Sequence, residues 1–104
     1  MTKSWYFATC VVLLSRPLQS MPGHDSVIGY VVNVGVHAQN MMEAVTQAIR
    51  IATSAEESAS GENRVEKIEI EETELDFIRE ELSEFERDPD GTLTYRSSLI
   101  YFNE

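Results

Sequence analysis

His37 is the residue whose position comes closest to that of a ligand-binding side chain. It follows the valine-rich run of residues 27–36, which predicts a strand, and Asn40 stands at the predicted start of a helix. Open α/β sheets bind ligands beyond the carboxyl ends of their strands, and a helix N-terminus favours an anion. The sequence therefore predicts a candidate ligand pocket at His37 and Asn40, with an ordinary surface histidine as the alternative.

No motif typical of catalysis accompanies these two residues. The chain has no glycine-rich phosphate loop, no CxxC pair, no histidine pair at helical spacing and no Gly-x-Ser-x-Gly. Its one cysteine, Cys10, excludes an internal disulfide and lies in an apolar run that predicts a buried side chain. We expect no catalytic residues, no cofactor and no metal. A small enzyme or ligand-binding domain that uses His37 is the alternative.

Two further groups of polar residues carry weaker signals. The sequence Asp-Pro-Asp-Gly at residues 88–91 is shared in part with calcium-binding loops, but residues 92–95 predict a strand instead of the remaining ligands. We therefore expect a turn there. His24 and Asp25 are adjacent in a predicted loop, and such a pair is not a metal site by itself.

Acidic residues are concentrated in the second half of the chain. The formal net charge is −10, and residues 1–55 hold only Asp25 and Glu43 against three basic residues. Because phosphate binding needs basic patches, this balance argues against nucleic acid and against anionic membranes. It is compatible with a basic protein partner. The predicted partner surface consists of Glu69, Glu71, Asp76, Glu80 and Glu84; a solvated surface without a partner is the alternative.

The predicted central element is the strand at residues 27–36, followed by a helix that runs from residue 41 to about residues 60–61. Large residues occupy one face of this strand, and Gly29 and Gly35 lie on the other, which indicates a bulge or a close approach. Asn40 and Glu43 have capping-box spacing. The predicted apolar stripe of the helix consists of Met41, Met42, Val45, Ala48, Ile49 and Ala52, and it is widened by Ala44, Ile51 and Ala55.

The remaining elements are predicted from the alternation of apolar and polar residues and from proline and glycine residues that interrupt strands and helices. Residues 5–14 are apolar on both faces, as in an interior strand, and residues 15–25 predict a loop. Residues 64–72 predict an edge strand with Val65 on its wet side. A second helix is predicted with an apolar seam of Leu75, Ile78, Leu82 and Phe85, and residues 92–102 form a last strand.

The predicted fold is therefore α+β in the order β-β-α-β-α-β. Strand–helix–strand units are usually right-handed crossovers between parallel strands. We accordingly expect a two-layer sandwich, with a four-stranded mixed sheet and both helices on one face. Residues 1–104 suffice for a single domain.

Residues 3–7, 27–36, 42–45 and 64–72 together resemble small bacterial α+β domains of unknown function. That resemblance implies no catalytic residues. In size and acidity the chain is also similar to immunity proteins, which block basic toxins with an acidic face.

The sequence thus predicts a non-enzymatic protein-interaction or assembly module, with an acidic immunity or inhibitor protein as the alternative. We expect a homodimer, because a sheet face not covered by helices would leave Val31, Trp5, Phe7 and Val11 bare. The start of the chain lacks a small-residue cleavage site, and no apolar run approaches the length that spans a bilayer. We therefore expect a cytoplasmic protein.

Overall fold

The structure, a computed structural model, describes residues 2–18, 27–56 and 63–103. Strands and helices follow one another along these ranges. They are β1 (Ser4–Leu18), β2 (Val27–Ala38), α1 (Met41–Ser54), β3 (Arg64–Thr73), α2 (Leu75–Glu81), β4 (Ser83–Arg87), β5 (Leu93–Arg96) and β6 (Ile100–Asn103). The α+β class is as predicted, but these ranges contain two more strands than the prediction.

The described strands form one sheet in the order β3-β1-β2-β5-β4, with β6 also paired to β2. Every pairing among them is antiparallel. The predicted four-stranded mixed sheet is therefore wrong, because β1 separates the parallel strands β2 and β3. The central position of β2, the interior position of β1 and the edge position of β3 are confirmed.

The two helices pack on opposite faces of the sheet, although the sequence predicted both on one face. β2, β3 and β4 run in the same direction. α1 leads from β2 to the β3 edge, whereas α2 leads back from β3 to the β4 edge. Two crossovers of the same hand that run in opposite directions across a sheet must use opposite faces. The handedness rule therefore explains the arrangement once the strand order is known.

The main core lies between α1 and one side of the sheet, which we name the α1 face. Its buried strand residues are Tyr6, Ala8, Cys10, Val12, Tyr30, Val32, Val34 and Val36, and α1 adds Ala44, Ala48, Ile51 and Ala52. Small alanine side chains bring the helix backbone close to the sheet. The Tyr30 hydroxyl donates a hydrogen bond to the Ala52 carbonyl across this contact.

This close approach changes which residues of α1 face the sheet. Met41, Met42 and Ile49 were predicted on the buried stripe, but all three are exposed, and 80% of the Met42 surface is accessible. That part of the prediction is wrong, because Ala44, Ala48, Ile51 and Ala52, spaced three and four residues apart, form the face that packs on the sheet.

Asn40 begins α1 as predicted, since its Oδ1 accepts a hydrogen bond of 2.9 Å from the Glu43 backbone nitrogen. The Glu43 carboxylate accepts a hydrogen bond from Gln47 Nε2 at 3.2 Å, one turn further on. α1 ends at Ser54, before the predicted end near residues 60–61. Residues 57–62 lie outside the described ranges.

A second cluster lies on the opposite side of the sheet, which we name the α2 face. It joins the buried residues Ile78, Leu82 and Tyr95 to the half-buried Trp5 and Phe7. Gly35 makes room for it, because a Cβ at that position would lie 2.7 Å from Ile78 Cγ2. The close approach predicted at the strand glycines is therefore confirmed.

α2 is shorter than the apolar spacing predicted. It ends at Glu81, and residues 83–87 form β4, so Phe85 lies on a strand and not on the helix seam. The predicted turn at residues 88–91 is confirmed: Gly91 has a φ of 90°, and its nitrogen donates to the Asp88 carbonyl at 2.8 Å. This turn joins β4 to β5, and the backbone N–H and C=O groups of the two strands bond to each other.

Two irregularities alter the predicted strands. The last strand is split, because residues 97–99 bulge opposite β2 and exchange two hydrogen bonds of 2.9 Å between Ser97 and Asn33. A register shift in β3 turns Val65 onto the α1 face, where it packs against the core. Its predicted place on the wet side is wrong.

The β1–β2 connection lies partly beyond what the structure describes. β1 continues to Leu18, past the predicted start of the loop at residue 15, and pairs antiparallel with β2. The rest of that loop, including His24 and Asp25, falls within residues 19–26, outside the described ranges. No helix in the described ranges is long and apolar enough to cross a membrane.

Candidate functional site

The five acidic residues singled out in the sequence lie on one side of the sheet. Glu69 and Glu71 stand opposite Thr9 and Phe7 in register, which places them on the α2 face. Asp76 and Glu80 belong to α2 itself, and Glu84 stands opposite Tyr95, a member of the α2-face cluster. All five are exposed. The fold therefore distributes the five predicted residues over α2 and over the two edge strands, β3 and β4, on either side of it.

Three of these acids do not share one helix. A helix with the predicted seam from Leu75 to Phe85 would carry Asp76, Glu80 and Glu84 at i, i+4 spacing. α2 instead ends before Glu84, which belongs to β4. Only Asp76 and Glu80 are like charges at i, i+4 spacing. Repulsion there costs about 0.2–0.5 kcal/mol, so the grouping of the five residues depends on the tertiary fold and not on one helix.

A cleft of about 210 Å³ lies over the paired strands β1 and β3 at one edge of this surface. Phe7, Thr9, Glu69, Ile70 and Glu71 line it. Ligand pockets for drug-sized molecules usually measure about 300–1,000 Å³. The cleft is therefore of the size that receives one side chain of a partner.

An aromatic pair stands beside this cleft. The Phe7 ring meets the Phe77 ring of α2 edge to face, with 5.3 Å between centroids and 71° between planes. Phe77 remains 40% exposed, although it is a large apolar side chain. A cation that entered the cleft would have aromatic surface beside it as well as carboxylates, and both attract ammonium and guanidinium groups.

The polar groups that line the cleft are mainly hydrogen-bond acceptors. The Thr9 hydroxyl donates its proton to Asn33 Oδ1 at 2.8 Å, so its oxygen can only accept a further bond. Glu69 has a salt bridge of 3.2 Å to Lys67, but both side chains are mostly exposed. Such exposed pairs contribute about 0–1 kcal/mol, and a partner cation can replace the lysine at small cost.

The strand that carries Glu69 and Glu71 is the outermost strand of the sheet. β3 has ten residues and pairs only with β1 among the described strands. No described strand pairs with its other side, and the backbone groups of such an edge form a template for an added strand. Residues 69–87 hold nine acids and two arginines, so an extended segment that approaches this edge meets a strongly negative surface.

The pocket that includes His37 does not have Asn40 in its described lining. Asn40 caps α1, which packs on the α1 face. His37 stands opposite Trp5 in register and stacks on its ring, with 4.6 Å between centroids and 13° between planes. The structure therefore separates the two residues and places His37 among aromatic and basic side chains near the β4–β5 turn, where Arg79 and Arg87 also lie.

Sequence reasoning did not identify Phe7, Thr9 and Phe77 as site residues. Phe7 was seen only as apolar surface, and Thr9 as one position in an alternating strand. Their contribution depends on the pairing of β1 with β3 and on the placement of α2 over the glycine side of the sheet. One signal was available: helical spacing places Phe77 off the apolar seam of α2, so a large apolar side chain was to be expected on the surface.

Cys10 and Tyr101 are among the side chains outside the cleft whose pKa values are raised. Burial raises the pKa of the Cys10 thiol to about 11, so the neutral thiol is inert as a nucleophile near neutral pH. A hydrogen bond to Glu56 is the main reason that the pKa of Tyr101 rises to about 12. Within the described ranges, no three His, Cys, Asp or Glu side chains are grouped so as to hold a metal ion.

Comparison of the chain with models of known protein families, with curated proteins and with solved structures finds no match.

Proposed function

We propose that the protein is a non-enzymatic interaction module whose acidic α2 face receives a basic, extended segment of a partner protein. The observation that carries this proposal is the cleft beside β3. It combines two carboxylates, an aromatic wall and an open strand edge within reach of one bound segment. A lysine or arginine of the partner enters the cleft, and the partner backbone pairs with β3.

Charge and hydrogen bonding support the same type of partner. Residues 69–87 combine nine acids with two arginines, and such a field speeds the approach of a basic protein while making binding sensitive to salt. An inhibitor of a basic enzyme, as an immunity protein is for its toxin, is one kind of protein with this requirement. Catalysis by His37 has less support, since its ring is stacked on Trp5.

The experiment uses a labelled ten-residue peptide of alternating lysine and threonine, with affinity measured by fluorescence anisotropy at low and high salt. The double variant Glu69→Lys with Glu71→Lys removes both carboxylates of the cleft. The matched control is Glu66→Lys with Glu72→Lys, which makes the same charge change on the same strand. Glu72 stands opposite Tyr6 and therefore lies on the α1 face.

We expect the cleft variant to weaken binding at least about tenfold, as charged hydrogen bonds are worth about 1.5–3 kcal/mol. The control should weaken it by less than about threefold, because only the long-range field changes. Equal losses in both variants would mean that net charge alone attracts the peptide, and the proposed cleft would then be wrong.

Self-association through the uncovered end of the α2 face is a second candidate. α2 covers Trp5 and Phe7, but Val11, Val31 and Ile100 lie beyond it, and Ile100 is 66% exposed. An apolar surface of this kind suits contact with a second copy. Sedimentation of the wild type and of Ile100→Asp should show a dimer that the substitution dissociates; a wild-type monomer at micromolar concentration would refute this candidate.

A further inference from the structure

A second cavity, of about 440 Å³, lies on the α2 face between α2 and the β4–β5 turn. Its volume falls within the range of small-molecule pockets. Aspartate and glutamate are absent from its described lining, although the chain contains 18 acidic residues. The lining instead includes Trp5, His37, Tyr95, Arg79 and Arg87. We name this cavity the Trp5–Arg79 pocket.

Aromatic rings form one wall of this pocket. The His37 ring stacks on Trp5, and the Tyr95 ring meets Trp5 edge to face, with 5.8 Å between centroids and 68° between planes. All three rings belong to strands of the sheet, since Trp5 lies on β1, His37 on β2 and Tyr95 on β5. The wall is therefore built from paired strands, and α2 packs beside it through Ile78 over Gly35.

The two arginines reach the pocket with most of their donors unused. Arg79 Nε donates to the Tyr95 hydroxyl at 3.5 Å, and this contact is the main reason that the pKa of Arg79 is raised. Arg87 Nη1 donates to the Gly91 carbonyl at 2.6 Å. Among the described residues, no carboxylate forms a salt bridge with either guanidinium. In so acidic a chain, this leaves two cations available to a ligand.

We infer that the Trp5–Arg79 pocket binds a small planar carboxylate. The ring of the ligand lies against the aromatic wall, and the ligand carboxylate accepts hydrogen bonds from Arg79 and Arg87. The planar guanidinium group of an arginine can donate two parallel hydrogen bonds to one carboxylate. This inference is independent of the proposed interaction with a basic segment, because it uses the basic end of the α2 face and none of the residues of the cleft.

The test uses 2-naphthoate as the probe and 2-naphthamide as its uncharged counterpart. Trp5 is the only tryptophan of the chain, so the protein gives a single indole N–H signal in a ¹H–¹⁵N NMR spectrum. Titration with 2-naphthoate should shift that signal with saturation, and the dissociation constant follows from the curve. The amide should bind at least about tenfold more weakly, because it cannot form the charge-assisted bonds.

Three variants locate the carboxylate. Arg79→Gln and Arg87→Gln should each weaken 2-naphthoate binding at least about fivefold, and Arg64→Gln, an exposed arginine on β3 outside the pocket, should leave it unchanged. The wild-type comparison of acid with amide remains decisive even if a variant fails to fold. Absence of a saturable shift, equal binding of acid and amide, or equal losses in all three variants would overturn the inference.

Discussion

Replacement of Gly35 by alanine tests the contact that fixes α2 on the sheet. The new Cβ would lie 2.7 Å from Ile78 Cγ2 and 3.3 Å from Ile78 Cδ1, so either the isoleucine or the whole helix must move. Overpacking of this kind costs about 1–3 kcal/mol. We expect Gly35→Ala to lower the free energy of unfolding by that amount, measured by urea denaturation followed by circular dichroism.

The Ile78→Ala background makes this expectation specific. Ile78 is fully buried, and its truncation alone should cost about 2–5 kcal/mol. The three heavy atoms nearest to the new Cβ all belong to the removed part of Ile78. Gly35→Ala should therefore be neutral or stabilising in this background, since alanine in a strand gains about 0.5–1 kcal/mol over glycine. The resulting coupling energy is about 1–4 kcal/mol.

Ile51→Ala supplies the matched control, because Ile51 is as deeply buried as Ile78 but lies on α1, across the sheet. Gly35→Ala should cost the same in that background as in the wild type. If the Gly35 and Ile78 substitutions were additive within about 0.5 kcal/mol, α2 would not pack on the glycine side of the sheet, and the two-faced architecture would be refuted.

Three further predictions concern single side chains. Burial raises the folded-state pKa of Cys10 from 9.0 to about 11, so the thiol of the unfolded chain loses its proton first as the pH rises. The free energy of unfolding should therefore fall by about 2–3 kcal/mol between pH 9 and pH 11. In urea titrations, Cys10→Ala should remove that part of the loss. Ultraviolet titration should show one phenol with a pKa of about 12, absent in Tyr101→Phe. Asn40→Ala should lower the melting temperature through loss of about 1 kcal/mol of capping energy.

Alternation and capping signals were sufficient to predict the strands that build the core. The two-sided apolar pattern of β1, the valine-rich run of β2 and the wet face of β3 gave the interior, central and edge positions of these strands. They did not give the strand order. Asn40 gave the correct start of α1. These signals are local in origin, since they follow from the period of the strand and from the unsatisfied backbone groups of a helix end.

The errors arose where pairing between strands overrides helical spacing. Leu75, Ile78, Leu82 and Phe85 have helical spacing, yet residues 83–87 pair with β5 across the turn at residues 88–91. That turn, flanked by two short segments, was an available hairpin signal. The face used by α2 could not be predicted without the strand order, because the direction of a crossover across the sheet decides its face.

The candidate sites were less accessible to sequence reasoning than the fold. The acidic residues were identified by charge, but the cleft needs Phe7 and Thr9 from β1 beside Glu69 and Glu71 from β3. No local pattern links these segments, which lie about sixty residues apart in the chain. His37 was noticed for its place at a strand end, yet its neighbours in space differ from its predicted neighbour Asn40.

Hydrogen exchange along β3 tests most directly the central claim that a basic segment binds at this edge. With the lysine–threonine peptide bound, amides of β3 that face outward should exchange more slowly, while those already bonded to β1 should change little. The Glu69→Lys, Glu71→Lys variant should lose this protection at the same peptide concentration. Unchanged exchange in β3, or protection confined to another element of the wild type, would contradict the claim.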